Sequence, residues 1–280
     1  MSAIDLPHLR QWIGNPGTDS DTLSVRQARL MAATLGLPQE TRAAGSRLPP
    51  LWHWLYFLEG LPPGELGRDG HPARGGFLPP VPLANRMWAG GRVSFLAPLP
   101  LGATIEKRST VSAIEHKAGR SGDLVFVTVL HELFHAGALA LSEEHDIVYR
   151  NPSEGRPARA HEAGSVGQLK KPFTPDSTML FRYSALTFNG HRIHYDVDYC
   201  RNVEGYDNLV IHGPLSATLL AGFAEEVTGG ELRSFSYRGL RPALLGAALT
   251  LNATVLDDHV AVWTTLSDGA VSMQAEATVR

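Results

Sequence analysis

Residues 187–196 read Thr-Phe-Asn-Gly-His-Arg-Ile-His-Tyr-Asp, and residues 212–214 read His-Gly-Pro. The first segment gathers Asn189, His191, His194 and Asp196 into one short polar stretch. The second puts a glycine and a proline where an apolar run begins. Proline is favoured in a first helical turn, where its missing N–H costs nothing. His212-Gly213-Pro214 therefore predicts a helix start, whose leading N–H groups are free donors. An imidazole that titrates near neutrality, beside such donors, can move protons while the donors hold developing negative charge.

Working outward, residues 214–227 form an apolar run closed by Gly229-Gly230, as expected of a buried helix. Strands are expected after it at about 231–238, 246–257, 259–267 and 270–279, with turns at Asp257-Asp258 and Ser267-Asp268-Gly269. On the other side, residues 151–178 are polar and rich in Pro and Gly and read as a linker. Before them, β-branched or alternating runs predict strands at 92–97, 104–115, 124–136 and 139–149. Residues 60–82 read as a Gly/Pro-rich loop, followed by a short helix at 83–88. Ser20-Asp21-Thr22 is expected to cap a helix from Ser24 to Leu35, which Gly36 ends. Each half thus has helix or loop first and an antiparallel meander after, a repeat of organisation without sequence identity.

Residues 131–135, His-Glu-Leu-Phe-His, match a zinc-binding pattern that works only on a helix. Here Val125, Val127, Val129, His131, Leu133 and His135 alternate with the intervening residues, so a strand is expected. On a strand the two histidine Cα atoms stand about 13 Å apart, too far for one zinc ion. They read as two histidines on a sheet face, and no metal site is expected.

Composition narrows the class. Lys plus Arg is 25 against 28 for Asp plus Glu, so no basic excess is available for a nucleic-acid backbone. Apolar residues make up 43%, enough for a substantial core. The lone Cys200 permits no internal disulfide and reads as a packed thiol. No secretory signal and no membrane span is expected, and a cytoplasmic location follows. Trp52, Trp54, Tyr56 and Phe57 read as core of an N-terminal element, and Ser216 and Thr218 as back-bonded helix residues.

The segment around 189–214 resembles the MaoC-like, or R-specific enoyl-CoA hydratase, family of hot-dog-fold hydro-lyases. The family signature is Asp-x-Asn-Pro-x-His with a following Asp, then a His-Gly opening the central helix. Here His194, Asp196 and His212-Gly213 match it, while Asn189, His191 and Arg192 stand in place of its Asp, Asn and Pro. Phe-Asn-x-His-Arg-Ile-His-Tyr-Asp is the form found in its two-repeat subgroup, which includes the mitochondrial 3-hydroxyacyl-thioester dehydratase and the itaconyl-CoA and mesaconyl-C4-CoA hydratases. Residues 74–82 and 142–150 are similar to the first repeat of that subgroup.

The resemblance implies an α+β double hot-dog: two antiparallel sheets, each wrapped around a helix, the clearer helix in the second half. It implies a catalytic repeat at 179–280, an acyl-binding repeat at 1–150 and the linker at 151–178. The implied activity is reversible hydration of a short enoyl-CoA without a cofactor, with an itaconyl or mesaconyl-C4 thioester as the leading acyl class and citramalyl-CoA as product. His194 would be the general acid/base, Asn189 would orient water or thioester because an amide cannot be a base, and the Gly213 N–H would hold the thioester oxygen. His191, Arg192, Asp196 and His212 would line the substrate. A second carboxylate would meet Arg74 or Arg86, with Arg68 a further candidate, and Arg238 and Arg241 would face coenzyme A phosphates. A homodimer is expected, because hot-dog sheets have open edges. The rival readings are a longer-chain 3-hydroxyacyl-thioester dehydratase, a thioesterase and a thioester-binding protein without turnover.

Overall fold

The eight β-branched and alternating runs all become strands, and with two further strands they join into one antiparallel sheet of ten. The computed structural model describes residues 4–119, 122–151 and 167–280. The strands are β1 (Pro16–Thr22), β2 (Asn85–Phe95), β3 (Thr104–Gly119), β4 (Gly122–His135), β5 (Ala138–Arg150), β6 (Leu169–Phe173), β7 (Leu232–Gly239), β8 (Leu249–Val255), β9 (Val260–Thr265) and β10 (Val271–Val279). The helices are α1 (Leu6–Leu9), α2 (Val25–Leu35), α3 (Ser177–Leu186), α4 (Val197–Tyr199) and α5 (Gly213–Thr228).

Sheet order is β1-β3-β4-β5-β2-β7-β10-β9-β8-β6. Read outward from its centre, each half has the same order, with β2 matching β7, β5 matching β10, and β1 matching β6. The expected repeat of organisation is therefore a repeat of topology, and the fold is the double hot-dog. The two five-stranded sheets meet edge to edge where β2 pairs with β7, from Gly90 opposite Arg238 to Ser94 opposite Ser234. This join covers one edge of each half, which would otherwise be open to pairing with another chain.

The halves differ in what lies on the sheet. In the second, α5 packs on β7, β8, β9 and β10. Leu215, Ala217, Leu220, Ala221, Phe223 and Ala224 are buried along it, so it is apolar nearly all round, as a helix enclosed by a sheet must be. Burying each large side chain of this kind stabilises by about 1.5–3 kcal/mol. In the first half, α2 packs against α3 instead. The segment that corresponds to α5, just before β2, is irregular chain with single 3-10 turns at Trp52–Leu55 and Pro63–Glu65.

Several local expectations change. The cap of α2 is Ser24, whose hydroxyl accepts from the Gln27 N–H. Asp21 lies in β1 and accepts from the Phe57 N–H at 2.9 Å instead. Residues 83–88 hold no helix, because β2 begins at Asn85 and runs through to the join with β7. Most of the expected linker lies outside the described residues, and its last part is β6 and the start of α3, capped by the Asp176 carboxylate. The His-Glu-Leu-Phe-His run ends β4, as the alternation requires.

Candidate active site

A cavity of about 1070 Å³ opens between the halves. The α3–α5 loops form one wall, and the sheet of the first half, where no long helix covers it, forms another. The polar motif lies in the first of these. Helix α3 ends at Thr187, and Phe188 then turns with φ +48°, a left-handed conformation rare for a bulky residue and characteristic of tightly determined functional turns. That turn presents Asn189 to the cavity. The Asn189 amide oxygen accepts from the His191 N–H at 2.9 Å, so this oxygen is committed to shaping the loop.

His194 lies on a 3-10 turn and is buried. Its Nδ1 is 2.7 Å from the Val210 carbonyl oxygen. A carbonyl only accepts, so Nδ1 carries the proton and Nε2 keeps a lone pair. Burial lowers the His194 pKa to about 4, against the Val210 hydrogen bond, which raises it. His194 is thus a neutral base of fixed tautomer at ordinary pH. Its ring stacks on His212, with centroids 3.6 Å apart and planes 18° apart. Two imidazolium ions could not share that stack, and burial also pushes His212 well down. The Ser184 hydroxyl lies 2.8 Å from His212 Nε2.

Gly213 opens α5 and lines the cavity. A Cβ there would stand 2.7 Å from Cε3 of Trp88, so only glycine lets the helix N-terminus approach this wall. As the first helical residue, its N–H has no intrahelical acceptor.

The structure separates the expected substrate contacts. Arg86, at the start of β2, lines the cavity, as do His191, Asn189 and Arg241. Arg74 does not. Its guanidinium donates to the Val81 carbonyl at 2.7 Å, the Ala84 carbonyl at 2.7 Å and the Leu83 carbonyl. Arg192 is paired with Asp196 at 2.7 Å, and Asp196 also caps α4 by accepting from the Tyr199 N–H. Both side chains are spent on the loop and lie off the cavity wall, as does His212 behind His194. Among the arginines suggested for the second carboxylate, Arg86 is the one whose position fits. Cys200 is buried, donates to the Ile193 carbonyl at 3.2 Å, and burial raises its pKa, as befits a packed thiol. Trp52, Tyr56 and Phe57 are buried core residues as expected, Trp54 is half-buried against them, and Trp54, Tyr56 and Phe57 also line the cavity.

Two groups were not assigned to the site from the sequence, although His131 was expected on a sheet face. In the first, β3, β4 and β5 turn Lys107, His131, Glu143 and His145 toward the cavity. Burial pushes the Glu143 carboxyl up, but the His53 hydrogen bond at 2.9 Å and the surrounding imidazoles outweigh this and hold it at about 2. His131 is lowered to about 3 by burial, and its Nδ1 lies 2.7 Å from the Ser109 hydroxyl. The signal was present as polar residues at inward positions of otherwise apolar strands, where a purely structural sheet would have been apolar. The second group is Asp69 and His71, whose ring lies 4.2 Å from that of His191. Asp69, His71 and His191 offer ligand atoms within 4.8 Å of one another, a spacing a metal ion could span, although the Asp69–His71 contact at 3.1 Å is already a hydrogen bond.

Comparison with known proteins fits this geometry. Residues 51–245 match the model of the hydroxyacyl-thioester dehydratase type 2 family. The chain is 42% identical over 271 residues to mesaconyl-C(4)-CoA hydratase of Chloroflexus aurantiacus, covering 94% of this chain and 95% of that protein. It is 28% identical over 230 residues to the mitochondrial hydroxyacyl-thioester dehydratase type 2 of Schizosaccharomyces pombe, covering 73% and 77%. Among solved structures, a MaoC-like dehydratase from Phytophthora capsici superposes with TM-score 0.70 at 15% identity, covering 99% of both chains. A Mycobacterium tuberculosis protein described as a double hotdog fold gives 0.58 at 14% identity, covering 95% of this chain and 96% of that one. Those two likenesses speak for the fold, and the sequence matches go further: the chain belongs to the hydroxyacyl-thioester dehydratase type 2 family of MaoC-like, double hot-dog hydro-lyases.

Proposed function

We propose that the protein reversibly adds water to the double bond of a short 2-enoyl-CoA that carries a second carboxylate, as mesaconyl-C4-CoA does. The observation that carries this is the pairing of His194, a base of fixed tautomer, with the free Gly213 N–H across a cavity that Arg86 also lines. The relative at 42% identity supports the substrate class. As the water oxygen bonds to Cβ, its proton passes to His194 Nε2. The π electrons shift toward the thioester oxygen, where the Gly213 N–H holds the charge. His194 then returns the proton to Cα, so the base is regenerated and atoms balance. Asn189 orients the reactants through its remaining N–H groups, and His191 shapes the pocket. The Arg86 guanidinium takes the second carboxylate. Arg241, on the cavity wall and paired with Asp268 at 2.8 Å, is suitably placed for the phosphates of coenzyme A.

On the β3–β5 wall the buried His145 Nε2 has no hydrogen-bond partner among the described residues and Lys107 lines the cavity, which favours a carboxylated acyl chain over a long alkyl one. The test follows the absorbance of the conjugated enoyl thioester with mesaconyl-C4-CoA and with crotonyl-CoA, beside a free-thiol assay. Loss of absorbance with the dicarboxylic substrate, without thiol release, is expected. Thiol release without hydration would make the protein a thioesterase, and activity confined to long-chain 3-hydroxyacyl thioesters would select the dehydratase reading.

A further inference from the structure

The motif's aspartate is replaced by Asn189, whose amide oxygen already accepts from the His191 N–H and carries no charge with which to hold an attacking water. A water attacking Cβ has two hydrogens to place, and His194 Nε2 accepts one of them. The motif's one carboxylate, Asp196, is spent on Arg192 and the Tyr199 N–H and does not supply the second acceptor. A candidate enters from the other half of the chain. Asp69-Gly70-His71 belongs to the irregular segment that precedes β2. The Asp69 carboxylate lies 3.1 Å from His71 Nδ1 and also accepts from the His71 N–H at 3.1 Å. Burial favours the neutral acid at Asp69, but the side-chain and backbone hydrogen bonds of His71 and the charge of Arg86 outweigh it, so the carboxylate is ionised. An ionised carboxylate can only accept, so His71 Nδ1 carries the proton, and burial, which lowers the His71 pKa, keeps the ring neutral with a lone pair on Nε2. His71 lines the cavity, its ring 4.2 Å from His191, and His191 in turn is 5.4 Å from His194.

The two loops are joined by backbone. A Cβ on Gly70 would lie 2.0 Å from the Gly190 carbonyl oxygen, and one on Gly190 would lie 2.9 Å from the Gly70 oxygen. The Arg192 N–H donates to the Asp69 carbonyl at 2.9 Å. Such an approach needs glycine on both sides. It sets the Asp69–His71 pair against the catalytic motif rather than leaving it on a free loop.

We propose that His71, oriented by Asp69, is the second water-binding group of the active site and takes the place of the carboxylate that Asn189 lacks. This rests on the hydratase reading above. His71 Nε2 accepts the hydrogen of the attacking water that is not transferred, while His194 takes and returns the other proton. His71 is the residue that touches the water, and Asp69 is a positioning residue acting through it. The Asp69–His71–His191 spacing would also suit a metal ion, but a bound ion would consume the lone pairs this role requires.

The test uses the full chain with His71→Asn and Asp69→Asn, assayed with mesaconyl-C4-CoA, and ¹⁵N NMR of the imidazoles. His71→Asn is expected to lower kcat at least about fifty-fold with KM within about three-fold. Asp69→Asn keeps shape and packing but lets the amide donate to Nδ1, which turns Nε2 from acceptor to donor. The spectrum should show that tautomer change at His71, with a comparable fall in kcat. A kcat within two-fold of the unaltered enzyme in either variant overturns the proposal. Activity abolished by chelation and restored by zinc overturns it in favour of a metal. If the unaltered protein hydrates no enoyl-CoA while His71 still shows the Nδ1–H tautomer, the hydratase reading fails and the water-binding role falls with it. If the tautomer is absent but hydration proceeds, only the present proposal fails.

Discussion

The two halves share a strand order and divide at one feature. In the second half, α5 fills the concave side of the sheet and brings Gly213 and the His194 loop to its N-terminal end. In the first half no long helix occupies the corresponding place among the described residues, and the inner face of β3–β5, turned to the cavity, carries Lys107, His131, Glu143 and His145. An apolar face needs a partner layer, whereas a polar one left open becomes the wall of a cavity. On the proposed function, the difference lets one repeated fold divide the work: one copy keeps the helix and its donors, the other gives up the helix to make room.

If the second half supplies the chemistry, His194→Gln should do the greatest damage. We expect kcat to fall by about 10³-fold, within the usual range for losing a general acid/base, with near-normal folding by circular dichroism. Gly213→Ala probes the helix start. Its methyl would meet Trp88, which is held between Tyr237 at 4.6 Å and Trp54 at 5.6 Å and has little room to yield. A loss of about 10–100-fold in kcat/KM is expected, with about 1–3 kcal/mol of destabilisation from overpacking. Denaturant unfolding alongside kinetics separates the two effects.

A smaller effect reports on both halves together. His131 and His194 have folded pKa values lowered to about 3 and about 4, and burial also lowers His145 and His212. Below the unfolded histidine value near 6.5, the unfolded chain binds protons that the folded chain refuses. Stability from these groups is therefore complete above pH 6.5 and falls as pH drops toward 4. A loss of a few kcal/mol between pH 7 and pH 4 is expected on the order of the linkage. Urea unfolding across this range checks the sign, and stability constant to pH 4 would show that these histidines are not buried as described.

Much of this was legible in the sequence where one physical signal dominated. Period-two alternation found the long strands, and an apolar run behind His-Gly-Pro found α5. The edge strand β1, Pro-Gly-Thr-Asp-Ser-Asp-Thr, is polar along its length, as an edge exposed to water should be, so it gave no alternation to read. Residues 85–88 became strand because their pairing with β5, from Asn85 opposite Arg150 to Trp88 opposite Ile147, overrides their local preference. Asn189, His194 and Gly213 were legible because the motif is nearly contiguous. His71, Lys107 and Glu143 were not, because only the sheet and the Gly70–Gly190 contact bring them to the cavity. Arg74, Arg192 and Asp196 looked available because sequence does not reveal hydrogen bonds already made.

The division of labour between the halves is tested most directly by the ratio of kcat/KM for mesaconyl-C4-CoA to that for crotonyl-CoA, measured in the unaltered enzyme, in Arg86→Gln and in His194→Gln. The account predicts that Arg86→Gln lowers the ratio by about 10²-fold, as expected for a lost charge-assisted contact of about 3 kcal/mol, while His194→Gln lowers both rates and leaves the ratio nearly unchanged. A ratio unaffected by Arg86→Gln, or one that collapses in His194→Gln, would contradict it.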